Sequence, residues 1–119
     1  MYCEQRRRNE ITILDCFGRF DEDDTNQFIQ RLEQLQNQGI QHLILNLSPL
    51  YYLDPKVVNL LFFWQQFLQA NSVIFSLVSP LSSVRNELVR GKVPNTIPTF
   101  NNMYDAIHRP HCAYQECSI

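Results

Sequence analysis

Two runs of strand length set the terms for this chain. His42 to Leu47 (His-Leu-Ile-Leu-Asn-Leu) and Val73 to Val78 (Val-Ile-Phe-Ser-Leu-Val) are apolar almost throughout, not only at alternate positions. Such a strand needs cover on both faces, which is the situation of a central strand in a parallel sheet with helices packed on it. Between the two runs lies a helical pattern from about Pro55 to Gln69, which can serve as the crossover that parallel neighbours require.

The flanking sequence extends this unit. Residues 2 to 8 read as a polar first strand. Ile11 to Phe17 alternates well enough for a second strand, closed by Gly18. Asp21 to Asp24 is a turn feeding a helix, with Asp24 expected as its cap and Gln27 answering back in a capping box. Phe28, Leu32 and Leu35 follow at helical spacing, with Ile29 beside them, and Gln38-Gly39 ends the helix. After the second apolar run, Pro80 breaks the strand. Ser82 or Ser83 can cap a short helix through Val89, which Gly91 stops. Thr96 to Phe100 is expected as an edge strand, since Pro98 cannot donate to a ladder. Asn102 can cap a last helix, Met103 to His108, ended by Pro110.

The order β-β-α-β-α-β-α-β-α predicts an α/β fold. Its sheet is mixed but mostly parallel, with about five strands and about four helices. A chain of 119 residues fits one domain near the modal size and can hold a core without a metal or disulfide. We expect that domain at residues 1–109, with 110–119 as a C-terminal tail.

Charge and composition exclude several classes. Apolar residues make up 45% and charged residues 18%, as in ordinary globular proteins, and the net charge is −2. Nothing there favours nucleic acid, and Arg6-Arg7-Arg8 lacks the interleaved aromatics that stack on bases. The N-terminus does not read as a signal peptide. The longest apolar stretch, Val57 to Trp64, is broken by Asn59 and falls short of the roughly 20 residues that span a bilayer. A cytoplasmic location is expected, with the four cysteines as thiols and Cys16 in the core.

The segment Leu50 to Phe63 carries the most functional information. A short loop, Pro49 to Leu53, leads from the first buried strand to Asp54-Pro55. Asp54 is a good N-cap, and proline suits the first helical position, where its missing N–H is no loss. The loop lies at the carboxyl end of a central strand, where open α/β sheets commonly bind. At about 100° per residue, Val57, Leu60, Leu61, Trp64 and Leu68 share the expected core face. Pro55, Asn59, Phe62 and Gln66 line the opposite side, with Val58 and Phe63 on the flanks. Phe62 is then either covered by a neighbouring element or exposed as an apolar anchor for a partner.

At this point the chain resembles a STAS domain, the module of anti-sigma factor antagonists and of the cytosolic tails of sulfate transporters. Phe17-Gly18-Arg19-Phe20-Asp21 is similar to the family's Gly-x-Leu-Asp turn. Leu43-Ile-Leu-Asn-Leu-Ser48 resembles its central strand, which usually ends Asp-Leu-Ser. Leu53-Asp54-Pro55-Lys56-Val57 occupies the place of its Asp-Ser-x-Gly motif. Val78-Ser-Pro80 with Val84-Arg85 resembles its fourth strand and third helix, and Met103 to Ile107 its closing helix. The likeness covers about residues 10 to 108.

The resemblance implies a bacterial adaptor that binds an anti-sigma factor or kinase-like ATPase through Asp54, Pro55, Lys56, Val58, Asn59 and Phe62. It also admits a small STAS subunit of an ATP-driven lipid transport complex, or a ligand-sensing STAS domain. The family's phosphorylated serine or threonine is replaced by Pro55, which has no hydroxyl, and its glycine by Val57. No cofactor is implied.

Other chemistries find less support. No Gly-x-Ser-x-Gly elbow, P-loop or dinucleotide turn is present, so no enzyme activity is expected. The acidic run Asp21 to Asp24 is explained by a solvated turn. His108, His111, Cys112 and Cys117 are ligand-capable, but they lack a paired Cys-x-x-Cys and are expected to belong to a loose tail. A homodimer through Phe62 or the edge of the first strand is possible.

Overall fold

The structure, a computed structural model, describes residues 1–80 and 82–108. The expected tail at 110–119 lies outside the described residues, and with it His111, Cys112 and Cys117. Among these residues, six strands form one sheet and four α-helices pack on it. The strands are β1 (Tyr2–Arg8), β2 (Ile11–Phe20), β3 (His42–Asn46), β4 (Leu50–Leu53), β5 (Ile74–Val78) and β6 (Thr99–Phe100). The helices are α1 (Thr25–Asn37), α2 (Val58–Ala70), α3 (Ser82–Arg90) and α4 (Met103–His108).

The sheet order is β1-β2-β3-β5-β6, with β4 paired to β2 as well. Of the described strands, only β1 runs antiparallel to its neighbour, as a strand joined by a tight turn can; their other pairings are parallel. The two apolar runs lie side by side, Leu43 opposite Phe75 and Leu45 opposite Leu77, and both strands are buried beyond their first residue. The mixed, mostly parallel α/β sheet is therefore as the pattern of apolar runs predicts.

The two sheet faces are covered unequally. Leu14, Cys16, Leu43, Leu45, Phe75 and Leu77 meet Phe28, Leu32 and Leu35 of α1, Leu61, Trp64 and Leu68 of α2, and Val84 and Leu88 of α3 in the main core. Ile13, Ile44, Val78 and Phe100 form a smaller cluster under Ala106 of α4.

Three local expectations are corrected. Gly18 does not close β2. It adopts φ +92°, a conformation glycine reaches at little cost, and the pairing register with β4 shifts between Gly18 and Arg19. The strand bulges there and continues to Phe20. Pro49 to Leu53 is not simply a loop, because residues 50–53 form β4 alongside the end of β2. Asp24 does not reach forward to Gln27. Its carboxylate instead accepts the backbone N–H of Asp21 at 2.9 Å, one turn earlier.

His42 opens β3 half-buried, and burial lowers its pKa below the ordinary histidine value. Between that lowered value and the ordinary one near 6.5, the unfolded chain binds more protons, so stability rises with pH through this window. Above it, His42 contributes no further slope. The expected result is a lower urea midpoint at about pH 5.5 than at about pH 7.5, with part of the difference removed by His42→Gln. An equal pH slope in the variant would rule His42 out as a source.

Candidate functional site

The Asp54 segment is built by two elements meeting. The backbone N–H of Asp54 donates to the Phe20 carbonyl at 3.0 Å, which ties the end of β4 to the end of β2. The Asp54 side chain then accepts the Lys56 N–H at 3.0 Å, and Pro55 takes the first position of a 3₁₀ turn, Pro55–Val57, that runs into α2. Cap and proline act as their sequence positions suggest.

Charged side chains gather around this start. Lys56 Nζ lies 3.2 Å from Glu22 Oε2. The Glu22 hydrogen bond and charge, with Asp54 adding its own, raise the lysine above its ordinary value. Arg19 pairs with Asp21 at 3.2 Å and lies over the Tyr52 ring, 4.7 Å from its centroid. Its hydrogen bond to Asp21 likewise raises the guanidinium. These pairs are solvent-exposed, so they shape the surface more than they stabilise the fold. Tyr51 and Tyr52 stand exposed beside them.

The outward stripe of α2 differs from the expected one. Val58, expected at the binding surface, is buried at 6% exposure. Gly91 approaches it so closely that a Cβ there would lie 2.6 Å from Val58 Cγ1. Phe62 is half-buried against the main core, while Leu60, expected inside, is only partly covered. The buried arc is thus Val57, Val58, Leu61, Trp64 and Leu68, turned by roughly 30° from the expected face at about 100° per residue.

The aromatics of α2 that reach solvent are Phe63, 58% exposed, and Phe67, 37% exposed. They flank the buried Trp64 edge-on, with ring centroids at 5.7 and 5.0 Å. Asp54, Pro55, Lys56 and Asn59 retain outward or partly outward positions, so the surface runs from the Asp54 cap through Lys56 and Asn59 to Phe63 and Phe67. Phe67 carried no sequence signal beyond its own apolarity. Phe63 was legible only as a flank.

Beside the site, a polar chain crosses three strands. Arg6 of β1 binds Asp15 of β2 through two contacts, 2.7 and 3.3 Å. Asn46 of β3 donates to the same carboxylate at 2.7 Å and accepts the Ser48 N–H at 3.1 Å. Asp15 and Asn46 are nearly buried, so each needs the other as a partner. No sequence pattern announced this pairing.

Among the described residues, no group of three His, Cys, Asp or Glu side chains is placed to hold a metal. Among them too, no helix is long and apolar enough to cross a membrane.

This arrangement has counterparts among known proteins. The family model for the STAS domain matches residues 2–106. No match is found among curated protein sequences. Of the solved structures, an anti-sigma factor antagonist from Mycobacterium paratuberculosis superposes with a TM-score of 0.83 at 14% identity, covering 92% of this chain and 93% of that one. The anti-sigma factor antagonist SpoIIAA in its unphosphorylated form gives a TM-score of 0.74 at 18% identity over 96% and 100% of the two chains. The phosphorylated Bacillus form gives 0.66 at 19% identity over 91% and 98%. At these identities the superpositions establish a shared fold. With the family model matching nearly the whole described chain, this protein belongs to the STAS domain family.

Proposed function

We propose that this chain is a non-catalytic bacterial adaptor of the cytoplasm that acts as an anti-sigma factor antagonist does. It binds an anti-sigma factor or related kinase-like ATPase on the surface from Asp54 to Phe67. The observation that carries the reading is the exposed pair Phe63 and Phe67, continuous with Lys56 and Asn59 at the carboxyl end of the sheet. Exposed aromatics on a helix are favoured anchors at the centre of an interface, and a charged rim such as Glu22–Lys56 gives orientation. The fold neighbours named as anti-sigma factor antagonists support the choice of partner class.

In this reading the contact has no serine phospho-switch. Pro55 occupies the first helical position after the Asp54 cap, and it offers no hydroxyl to a kinase. Binding is then set by the amounts of the two proteins, not by the phosphorylation state of this one.

The test is affinity measured against the histidine-kinase-like ATPase recovered with the full chain as bait. Phe63→Ala with Phe67→Ala should weaken binding by about 30-fold or more, the effect of losing about 2 kcal/mol of anchor contacts. Lys56→Glu should mainly slow association. Unchanged affinity in the double variant, with the fold intact, would refute the surface. Recovery of transporter subunits in place of a kinase-like ATPase would refute the partner class. With ATP present, the partner should transfer no phosphate to residue 55, whereas Pro55→Ser should make transfer possible.

A further inference from the structure

Cys3 and Cys16 face each other directly across the antiparallel pair β1–β2, and they are the free cysteines among the described residues. Their sulfurs are 3.8 Å apart. Directly opposed residues in an antiparallel pair have Cα atoms about 4.5–5.5 Å apart, inside the range of about 4.4–6.8 Å that a disulfide bridges. Closing the gap therefore asks for side-chain rotation, without separation or slippage of the strands.

The two thiols differ in access. Cys16 is fully buried. Cys3 is half-buried and lines a cleft of about 320 Å³ that includes Gln27, Phe28, Arg31 and Gln34 of α1. The hydrogen bond with Cys16 lowers the Cys3 thiol, with Arg31 and the N-terminal ammonium aiding, against burial. The same hydrogen bond, with burial, raises Cys16 well above its ordinary value. Thiolate character and an open approach thus fall on the same sulfur, which is where oxidation starts.

We propose that Cys3 and Cys16 form a peroxide-sensitive thiol pair that closes to an intramolecular disulfide joining β1 to β2. The Cys3 thiolate attacks hydrogen peroxide, its sulfur gains oxygen as the O–O bond breaks, and hydroxide leaves. The Cys3 sulfenic acid is then attacked by the Cys16 sulfur. An S–S bond forms, the S–O bond breaks, and the Cys16 proton leaves with the oxygen as water. In sum, two thiols and one peroxide give one disulfide and two waters, the sulfurs losing the two electrons the peroxide gains.

The experiment uses the full chain carrying Cys112→Ser and Cys117→Ser, so that Cys3 and Cys16 are the remaining cysteines. After hydrogen peroxide treatment, the intact monomer should be lighter by two hydrogens, and a thiol reductant should restore its mass. Trypsin cuts after Arg6, Arg7 and Arg8, so without reduction the peptide Met1–Arg6 should remain linked to Asn9–Arg19. In the same background, Cys16→Ser should leave a Cys3 sulfenic acid that dimedone captures. Cys3→Ser should slow thiol loss by about tenfold or more, because the remaining sulfur is buried. This second variant alters a half-buried residue, so it keeps the proposal testable even where Cys16→Ser does not fold. Oxygen addition to single cysteines in the folded monomer without a linked peptide, a cross-linked dimer in its place, or unchanged oxidation in Cys3→Ser would each overturn the proposal.

Discussion

Replacing Asn46 with aspartate is expected to cost about 3–5 kcal/mol of folding stability at neutral pH. The reason is geometric. The Asn46 amide nitrogen donates to Asp15 at 2.7 Å, while its oxygen is committed to the Ser48 N–H. Aspartate would keep the Ser48 contact and turn a second carboxylate onto the first. Both residues are buried, at 9% and 8% exposure, so water screens the charges poorly. Arg6 is half-exposed and already engaged with Asp15, and one guanidinium cannot offset two buried anions.

The pH response has a distinctive sign. In the variant, the folded carboxyl pair binds a proton more tightly than the unfolded chain does, so the loss is complete above the pair's raised pKa. As pH falls through that value, a carboxylic acid O–H can stand where the amide donor was, and part of the loss is recovered. The groups that the two proteins share do not produce this difference. Asp24 is pulled low in the folded state: burial alone would raise it, but the Asp21 N–H and the Met1 ammonium overcome that. Its contribution is lost only below the ordinary carboxylate value, and that of His42 below the ordinary histidine value, equally in both proteins. Because the raised carboxyl pair exists in the variant alone, urea titrations from about pH 7 to about pH 5 should bring variant and native midpoints together. Parallel curves would show that the cost is packing, not charge. The family's usual aspartate at this place is thus incompatible with this chain's Asp15 unless the site is otherwise relieved.

Trp64→Ala should cost about 3–5 kcal/mol, a large part of the roughly 5–15 kcal/mol that holds a domain together. The side chain is 2% exposed and packs edge-on against both Phe63 and Phe67. Its indole Nε1 is buried with no hydrogen-bond partner among the described residues. That unpaired donor separates two effects. Trp64→Phe keeps most of the ring and removes the costly N–H, so it should lose less than half of what alanine loses. Because Trp64 is the sole tryptophan, denaturation of both variants has to be followed by far-ultraviolet circular dichroism. Equal losses in the two would mean that indole volume alone decides the site. Alanine should also loosen Phe63 and Phe67, the aromatics of the proposed docking surface, so a binding loss in Trp64→Ala reports support and not contact.

How far the sequence could be read depends on whether burial repeats with a regular period. β3 and β5 were legible because they are apolar on both faces, and α1 because Phe28, Leu32 and Leu35 recur at helical spacing. β4 was not, since Leu50 and Leu53 are buried while Tyr51 and Tyr52 between them are exposed. That pattern alternates with no strand period. α2 was legible as a helix but not in its rotation. Leu60, Leu61, Phe62, Phe63 and Trp64 are all apolar, so periodicity could not choose which of them faces inward. Contacts between segments far apart in the chain, such as Gly91 against Val58, are not visible to that periodicity. Asp54 and Pro55 could be placed because capping is local chemistry, whereas the Asp15–Asn46 bond spans 31 residues and left no local trace.

The hydrogen bond from Asp54 to Phe20 means that the ground beneath the proposed docking surface is set before any encounter. With β4 laid against β2, the chain entering α2 has little freedom left to surrender. A partner settling there would meet a rigid template, and the conformational adjustment of the complex would fall on the partner's side. Differences in lifetime among complexes with related partners would then be written in the partners' sequences more than in this one.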